Sequence, residues 1–311
     1  MTVLQVKQLT ARVADHIQFV DVNLSVGAGE IYGILGDAKS GKTEFIQLLS
    51  GMRTPDRGWV KVDDCRVHDN IRRAQRHIGV LSRRLALFPM MTVENNLQYW
   101  GRLSDRSTHR LESDIDRVLR YVHYQKRKEE VVAALGALDR KRVHLAAALL
   151  HKPKVLLLDQ PTEPMTERER KAFLQIVQKL QRDGQAVVYA TDKVHEIQHI
   201  ATRVAIMDEG KILVEGTVEE LRSLLGGQSQ IVIRCRPLHA WVKLVEETAT
   251  VHTVDEKKRE LRIWTTKPKE LLSRIFSDWQ DNGLVAESVR VVEPTLEGVY
   301  LHLTGKSLEN G

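Results

Sequence analysis

The chain is short of several things, and each shortage removes a class of explanation. It has two cysteines among 311 residues, Cys65 and Cys235. Two thiols so far apart in sequence give no disulfide framework, fit a reducing cytosol, and form no Cys/His cluster at zinc-site spacing. No apolar run approaches the roughly 18 residues of a membrane-spanning helix. The opening, MTVLQVKQLTARV, lacks the apolar stretch of a secretory signal. Aromatic residues are only 5%. The basic residues behind the net charge of +6 are scattered (Arg72, Arg73, Arg76, Arg83, Arg84, then Lys126 to Lys128). A nucleic-acid surface interleaves basic and aromatic side chains, so these charges read as solvated helix faces and no nucleic-acid partner is expected. What remains is an ordinary soluble composition, 42% hydrophobic and 28% charged, long enough for two domains.

Val20, Val22, Leu24 and Val26 alternate with polar residues, as a half-buried strand does. A turn at Gly27–Gly29 leads to a second strand, EIYGILG, and Gly58–Val62 before Asp63-Asp64 reads as a third strand and turn. From about Asp37 the pattern changes. The short apolar strands HIGVLS, KVLLLD, QAVVYAT and RVAIMD follow, the last three separated by helical stretches. One of these, TERERKAFLQIVQKLQRDG, has apolar residues at 173, 174, 176, 177 and 180 and a glycine, Gly184, at its end. Unbroken apolar strands alternating with helices predict a parallel sheet covered on both faces. Residues of about 90–150 predict a mostly helical subdomain. Gly226 to Ser229 is the linker candidate. After it the order strand, helix, strand, strand, helix, strand is the split-βαβ arrangement, with a last helix, TLEGVYLHLTG. Glu246, Glu247 and His252 there read as solvated surface.

The strand EIYGILG runs into Gly36-Asp37-Ala38-Lys39-Ser40-Gly41-Lys42-Thr43 and then a helix. This is G-x-x-x-x-G-K-[ST] in strand–loop–helix context. Glycines let backbone N–H groups close around phosphate oxygens, and the helix N-terminus adds its positive end. Lys42 is placed to reach the β and γ phosphates, and Thr43 to offer a hydroxyl to Mg²⁺. The strand KVLLLD delivers a second metal candidate, Asp159, and is followed by Gln160.

With both motifs placed, the chain resembles the ATP-binding subunits of ABC transporters, and within them the drug and ABC-2-type exporters. The segments that carry the likeness are VNLSVGAGEIYGILG, ALFPMMTVENNLQYW, HLAAALLHKPKVLLLDQPT, RVAIMDEGKILVEGT and LEGVYLHLTGKSL. The resemblance implies an α/β fold, a P-loop NTPase (RecA-like) core with an antiparallel β subdomain and a helical subdomain, over residues 1–225. It also implies a small α+β ferredoxin-like domain over 229–311. It implies ATP and Mg²⁺, a dimer of nucleotide-binding subunits that sandwiches two ATPs, permease subunits as partners, and a place on the inner face of the cell membrane.

Against that family pattern the chain departs at the chemistry. Gln160 stands where the family has a catalytic Glu. Asp192 stands for the histidine after the QAVVYAT-type strand, and Arg83 for the glutamine of the IGYLPQ-like segment. Val13 aligns with the aromatic that stacks on adenine. The signature LSGGQ aligns with Leu135-Gly136-Ala137-Leu138-Asp139, and the aspartate at the dimer seam is Thr166. Lys39 replaces a glycine, and Glu44 a Thr or Ser beside the α-phosphate. A carboxylate about 5 Å from one phosphate charge costs on the order of 3 kcal/mol at an effective dielectric near 20, about a hundredfold in affinity. An amide cannot act as a base, and general-base loss costs on the order of 10²–10⁴ in rate. The expectation is a chain that binds ATP and hydrolyses it poorly, with both of its contributions to a composite site altered. Two alternatives stay open: an active ATPase whose water is activated by Glu163 or by substrate phosphate, and a nucleic-acid-associated P-loop ATPase.

Overall fold

The computed structural model describes every residue except 15–16, 104–107, 125–127, 227–228, 247–251, 257–258, 282–284, 293–294 and 309–311. Lys126, Gly227 and Glu247 therefore lie outside the described residues. The chain divides into two compact units, Met1–Thr217 with Leu308–Gly311, and Val218–Ser307.

The first unit opens with β1 (Thr2–Ala14), β2 (Ile17–Gly27) and β3 (Ile31–Leu35), then α1 (Lys42–Leu49). Next come β4 (Arg57–Val62), β5 (Cys65–Arg66), α2 (Ile71–Gln75) and β6 (Ile78–Leu81). The helical stretch is α3 (Val93–Leu103), α4 (Thr108–Tyr121), a 3₁₀ turn (Val132–Ala134) and α5 (Ala137–Leu149). The unit continues with β7 (Val155–Asp159), α6 (Glu167–Arg182), β8 (Ala186–Thr191), α7 (Val194–Ile200), β9 (Arg203–Asp208) and β10 (Lys211–Gly216).

Two sheets result. The antiparallel one has the order β2-β1-β4-β5, and the larger one β10-β9-β3-β8-β7-β6. In the larger sheet β9, β3, β8, β7 and β6 run parallel, and β10 is an antiparallel edge. Strands β3, β7 and β8 are buried at every residue, as the unbroken apolar runs require of a sheet covered on both faces. Helix α1 lies between the sheets, and Phe19, Phe45, Leu48, Val60, Leu157 and Val188 share one core there.

Two local findings bear on the sequence reading. Val20 is 56% exposed, so it does not belong to the buried face with Val22, Leu24 and Val26. The ladder steps from Leu9–Val22 to Ala11–Phe19, an extra residue on β2, with Asp21 at φ 49°. Such a bulge re-aims the side chains beyond it, and Phe19 and Ile17 take the buried places instead. Helix α6 follows its pattern. Phe173, Leu174, Ile176, Val177 and Leu180 are buried, and Thr166 and Glu169 form a capping box. Gly184 follows the helix at φ 89°.

The second unit holds α8 (Val218–Ser223), β11 (Ser229–Arg236), α9 (Leu238–Glu246), β12 (His252–Asp255), β13 (Glu260–Thr265), α10 (Pro268–Asp281), β14 (Val285–Val292) and α11 (Leu296–Thr304). Its sheet order is β12-β13-β11-β14, antiparallel throughout. Each helical crossover therefore joins strands separated by a third, the split-βαβ topology of ferredoxin-like folds. Ile231, Ile233, Trp241, Leu261, Ile263 and Ile275 form its core.

Candidate nucleotide-binding site

The parallel sheet sets the site. Strands β3, β7, β8 and β6 end at one edge, where open α/β sheets carry their ligands. Beyond β3 the phosphate loop closes on itself. The Ser40 hydroxyl donates to the Asp37 carbonyl at 2.8 Å, the Lys39 N–H donates to Asp37 Oδ1 at 2.9 Å, and the Gly210 N–H donates to the Ser40 carbonyl at 2.8 Å. Two glycines are obligatory. A Cβ on Gly36 would lie 2.5 Å from the Met207 carbonyl oxygen and from Ser40 Oγ, and Gly41 sits at φ 93° ahead of α1.

Lys42 is 4% exposed. Its ammonium donates to the Gly36 carbonyl at 2.6 Å, to the Asp37 carbonyl, and to Ser40 Oγ at 3.2 Å. Burial pushes it down to about 8, while the carboxylates of Asp192, Asp37 and Asp159 pull the other way. Thr43 donates its hydroxyl to Asp159 Oδ1 at 3.2 Å. Burial holds Asp159 above the usual carboxylate range, opposed by the Thr43 hydroxyl and the charges of Lys42 and Arg83. Glu44 is half-buried in the first turn of α1, and Lys39 is exposed.

Gln160 follows β7 at φ 46°, is 6% exposed, and donates its N–H to the Ala190 carbonyl at 2.9 Å. The pairing of Asp159 with Ala190 brings Gln160 and Asp192 to neighbouring strand ends. Arg83, beyond β6, is bound by Glu163 at both ends of its guanidinium: Nε to Oε2 at 3.0 Å and Nη2 to Oε1 at 3.3 Å. That bond holds the Arg83 charge in place above its ordinary range.

The structure thus gathers Gly36–Glu44, Arg83, Asp159, Gln160 and Asp192 at one edge. Three further groups lie on other elements. Val13 is half-buried against the antiparallel-sheet core. Leu135–Asp139 heads α5, with polar contacts of its own: the Leu135 carbonyl accepts from Arg140 Nε at 2.7 Å, and Asp139 pairs with Arg142 at 3.2 Å. Thr166 caps α6.

Three features had no mark in the sequence. One is the Arg83–Glu163 pair, 80 residues apart. Another is Lys141, 3% exposed on α5, whose ammonium donates to the Arg83 carbonyl at 3.4 Å and is pushed by burial down to about 8. The third is Glu196, with no exposed surface. It accepts from the Thr162 hydroxyl at 2.5 Å, Tyr189 OH at 2.8 Å and Thr191 Oγ1 at 3.1 Å, and pairs with Arg170 Nε at 3.3 Å. This carboxylate ties the ends of β7 and β8 to α6. A glutamate beside a histidine in a polar stretch gives no warning of burial.

A family model described as ABC transporter matches residues 19–163. The daunorubicin resistance ATP-binding protein DrrA3 of Streptomyces coeruleorubidus is 32% identical over 309 residues, 98% of this chain and 96% of that protein. The linearmycin resistance ATP-binding protein LnrL of Bacillus subtilis (strain 168) is 27% identical over 93% of this chain and 94% of its own length. The Nod factor export ATP-binding protein I of Rhizobium sp. (strain N33) is 26% identical over 95% and 94%. Among solved structures, cbiO1 from Clostridium perfringens, part of the ABC transporter complex cbiONQ, superposes with a TM-score of 0.65 at 21% identity, covering 72% of this chain and 93% of that one. A dimeric post-hydrolysis state of the ATP-binding cassette MJ0796 bound to ADP and Pi gives 0.62 at 23% identity, with coverage of 69% and 98%.

Proposed function

This chain belongs to the ATP-binding proteins of ABC transporters, and on that premise we propose that it binds ATP with Mg²⁺ but hydrolyses it poorly, serving as a structural or regulatory partner of a permease and of a second ATP-binding subunit. The observation that carries the reading is the end of β7. Gln160 offers an amide there, and the nearby Glu163 carboxylate is bonded through both oxygens to Arg83. An amide orients water without accepting its proton, and a carboxylate held by a guanidinium is a poor base. This weighs against an active ATPase that uses Glu163.

Binding has better support. Gly36 and Gly41 leave the cradle open to phosphate oxygens, and Lys42 is within it. Thr43 and Asp159 present two hard oxygen donors 3.2 Å apart, a set that fits Mg²⁺. When bound, the metal supplies neutralisation of phosphate charge. Asp192 works against affinity, since its charge acts on the lysine that should face phosphate.

In the family's sandwich dimer each site takes its phosphate loop from one chain and its signature from the other. Gly136 brings no hydroxyl to that seam, Ala137 and Leu138 bring side chains where backbone should approach, and Asp139 brings a carboxylate. A homodimer of this chain therefore has two impaired sites. With an intact partner, only the site that uses the partner's phosphate loop turns over. We assign permease docking to a cleft of about 800 Å³ in the first unit, lined by Arg72, Arg76, Val80, Trp100, His144 and Ala148. Exposed Phe88 and Met90 lie in the loop that leads into α3, and exposed Leu103 ends that helix. Among the described residues no helix is long and apolar enough to cross a membrane, so attachment to the inner membrane face runs through that partner.

The test is Mg-ATP affinity and turnover on the purified chain, beside Lys42→Ala. The reading expects Lys42-dependent binding and turnover at least about a hundredfold below an intact cassette. Absence of Lys42-dependent binding, or turnover at ordinary transporter rates, refutes it.

A further inference from the structure

The basic residues look scattered along the chain, yet the fold gathers some of them. From Cys65 to Arg84 six arginines meet one acidic residue, Asp69. Two of the six are engaged: Arg66 lies over the Trp59 ring at 5.2 Å, and Arg83 is held by Glu163. The other four, Arg72, Arg73, Arg76 and Arg84, are exposed. Arg76 caps the C-terminus of α2 in helical conformation, three residues from Arg73 and four from Arg72, so the three share one side of the helix. Among the described residues Arg72 and Arg73 form no ion pair. Like charges at this spacing repel one another, and an external anion relieves that repulsion.

Apolar side chains stand among these charges. Arg72 and Arg76 line the cleft together with Met52 and Leu103, which are 57% and 64% exposed. Ile71, beside Arg72 on α2, and Leu85, beside Arg84, are exposed as well. The inner lining of the cleft differs. Ile78, Ala147 and Ala148 are buried and apolar, and that part is left for the permease segment.

Exposed aliphatic groups between guanidiniums fit one kind of surface. A bilayer offers lipid phosphates to the arginines and, just beneath them, acyl chains to the apolar groups. A nucleic-acid backbone uses the charges but draws nothing from Met52, Ile71 or Leu103. The cytoplasmic loops of a permease carry an excess of Lys and Arg, which these arginines repel.

We propose that α2 and the rim of this cleft bind anionic phospholipid directly, so that the chain touches the inner leaflet as well as the permease. The inference rests on the reading that the chain works at the inner membrane face, and it adds a second contact beside the one through the permease. An arginine near a negatively charged leaflet is worth about fivefold in binding. The groups are solvent-exposed, so salt weakens the contact.

The experiment is sedimentation of the purified full chain with vesicles of phosphatidylcholine alone, or of phosphatidylcholine with about one-third phosphatidylglycerol. One variant combines Arg72→Gln, Arg73→Gln and Arg76→Gln. A control combines Lys7→Gln, Lys154→Gln and Lys211→Gln, which removes the same charge from exposed lysines elsewhere in the first unit. Met52→Asp, at an exposed position outside helix and strand, keeps the test open should the arginine variant fail to fold. Each is first checked for native circular dichroism and unchanged Mg-ATP affinity. The unaltered chain is expected to bind the anionic vesicles alone and to leave them at about 0.5 M salt. Binding should fall about a hundredfold in the arginine variant and about fivefold in Met52→Asp, with less than about threefold change in the lysine control. Equal binding to both kinds of vesicle, binding to neither, an equal loss in the lysine control, or tighter binding to duplex DNA than to anionic vesicles overturns the proposal. Vesicle binding and Lys42-dependent ATP binding are separate readouts. A chain that binds ATP but no vesicles loses the lipid contact alone, and one that binds vesicles but no ATP loses the nucleotide reading alone.

Discussion

Replacing Glu196 with glutamine is a sharp test of what holds the nucleotide edge together. The carboxylate has no exposed surface; it accepts from Thr162 on Oε1 and from Tyr189 and Thr191 on Oε2, and its Oε1 forms an ion pair with Arg170 Nε at 3.3 Å. A carboxylate suits three donors and a cation because it is acceptor-only and charged. The amide of Glu196→Gln turns one side into a donor, so two of those groups face an N–H₂. It also leaves Arg170 without its buried counter-charge. Hydrogen bonds to charged groups are worth about 1.5–3 kcal/mol, and breaking a buried pair costs about 3–5 kcal/mol. We take about 3–5 kcal/mol for the whole change, because the terms overlap. Native-state hydrogen exchange reads it directly in β7 and β8, whose residues are fully buried. Protection there should fall by between about two and four powers of ten, while amides in β11 and β13 of the second unit keep theirs. A fall of less than about fivefold would refute the claim that Glu196 clamps the two strand ends.

Further outcomes follow from the same geometry. Gly36→Ala should abolish nucleotide binding in a calorimetric titration, since its methyl meets the Met207 carbonyl at 2.5 Å. Gly41→Ala should weaken binding and cost about 1 kcal/mol or more of stability by forcing φ 93° on a side chain. Asp192→Asn should raise ATP affinity, because it removes a negative charge that acts on Lys42 and would oppose phosphate. Lys42 and Lys141 have folded-state values of about 8, below those of the unfolded chain. The unfolded state therefore binds more protons as pH rises from about 8 towards about 10. Stability should climb over that window by at most about 1.4 kcal/mol per pH unit for each lysine, and Lys42→Met should remove its share in urea titrations at several pH values.

The phosphate loop was legible because its information is local. Eight consecutive residues, Gly36 to Thr43, carry the glycines, the lysine and the hydroxyl between a strand and a helix. The buried strands were legible as unbroken apolar runs, and the second unit as an alternation of strand and helix patterns whose order leaves few topologies. Val20 was misplaced because an alternation carries no sign of a bulge, and the bulge rests on one residue, Asp21, in the left-handed region. The Arg83–Glu163 pair, the Lys141 contact and the Glu196 cluster were not legible. Each joins groups from different elements, and polar residues read in sequence as surface until the fold encloses them. Arg83 shows the gap well. The resemblance marked it as a departure, but only the structure shows what the guanidinium binds instead.

The central claim is that this site keeps its hold on triphosphate while having no group to take the proton of water. Restoring that group should restore turnover. The direct measurement is single-turnover release of phosphate from Mg-ATP by the unaltered chain and by Gln160→Glu, each at saturating nucleotide and each with a partner subunit whose signature segment is intact. The account predicts matched affinities and a rise in rate of about 10²-fold or more in the variant. Equal rates in the two proteins, with ATP bound by both, contradict it.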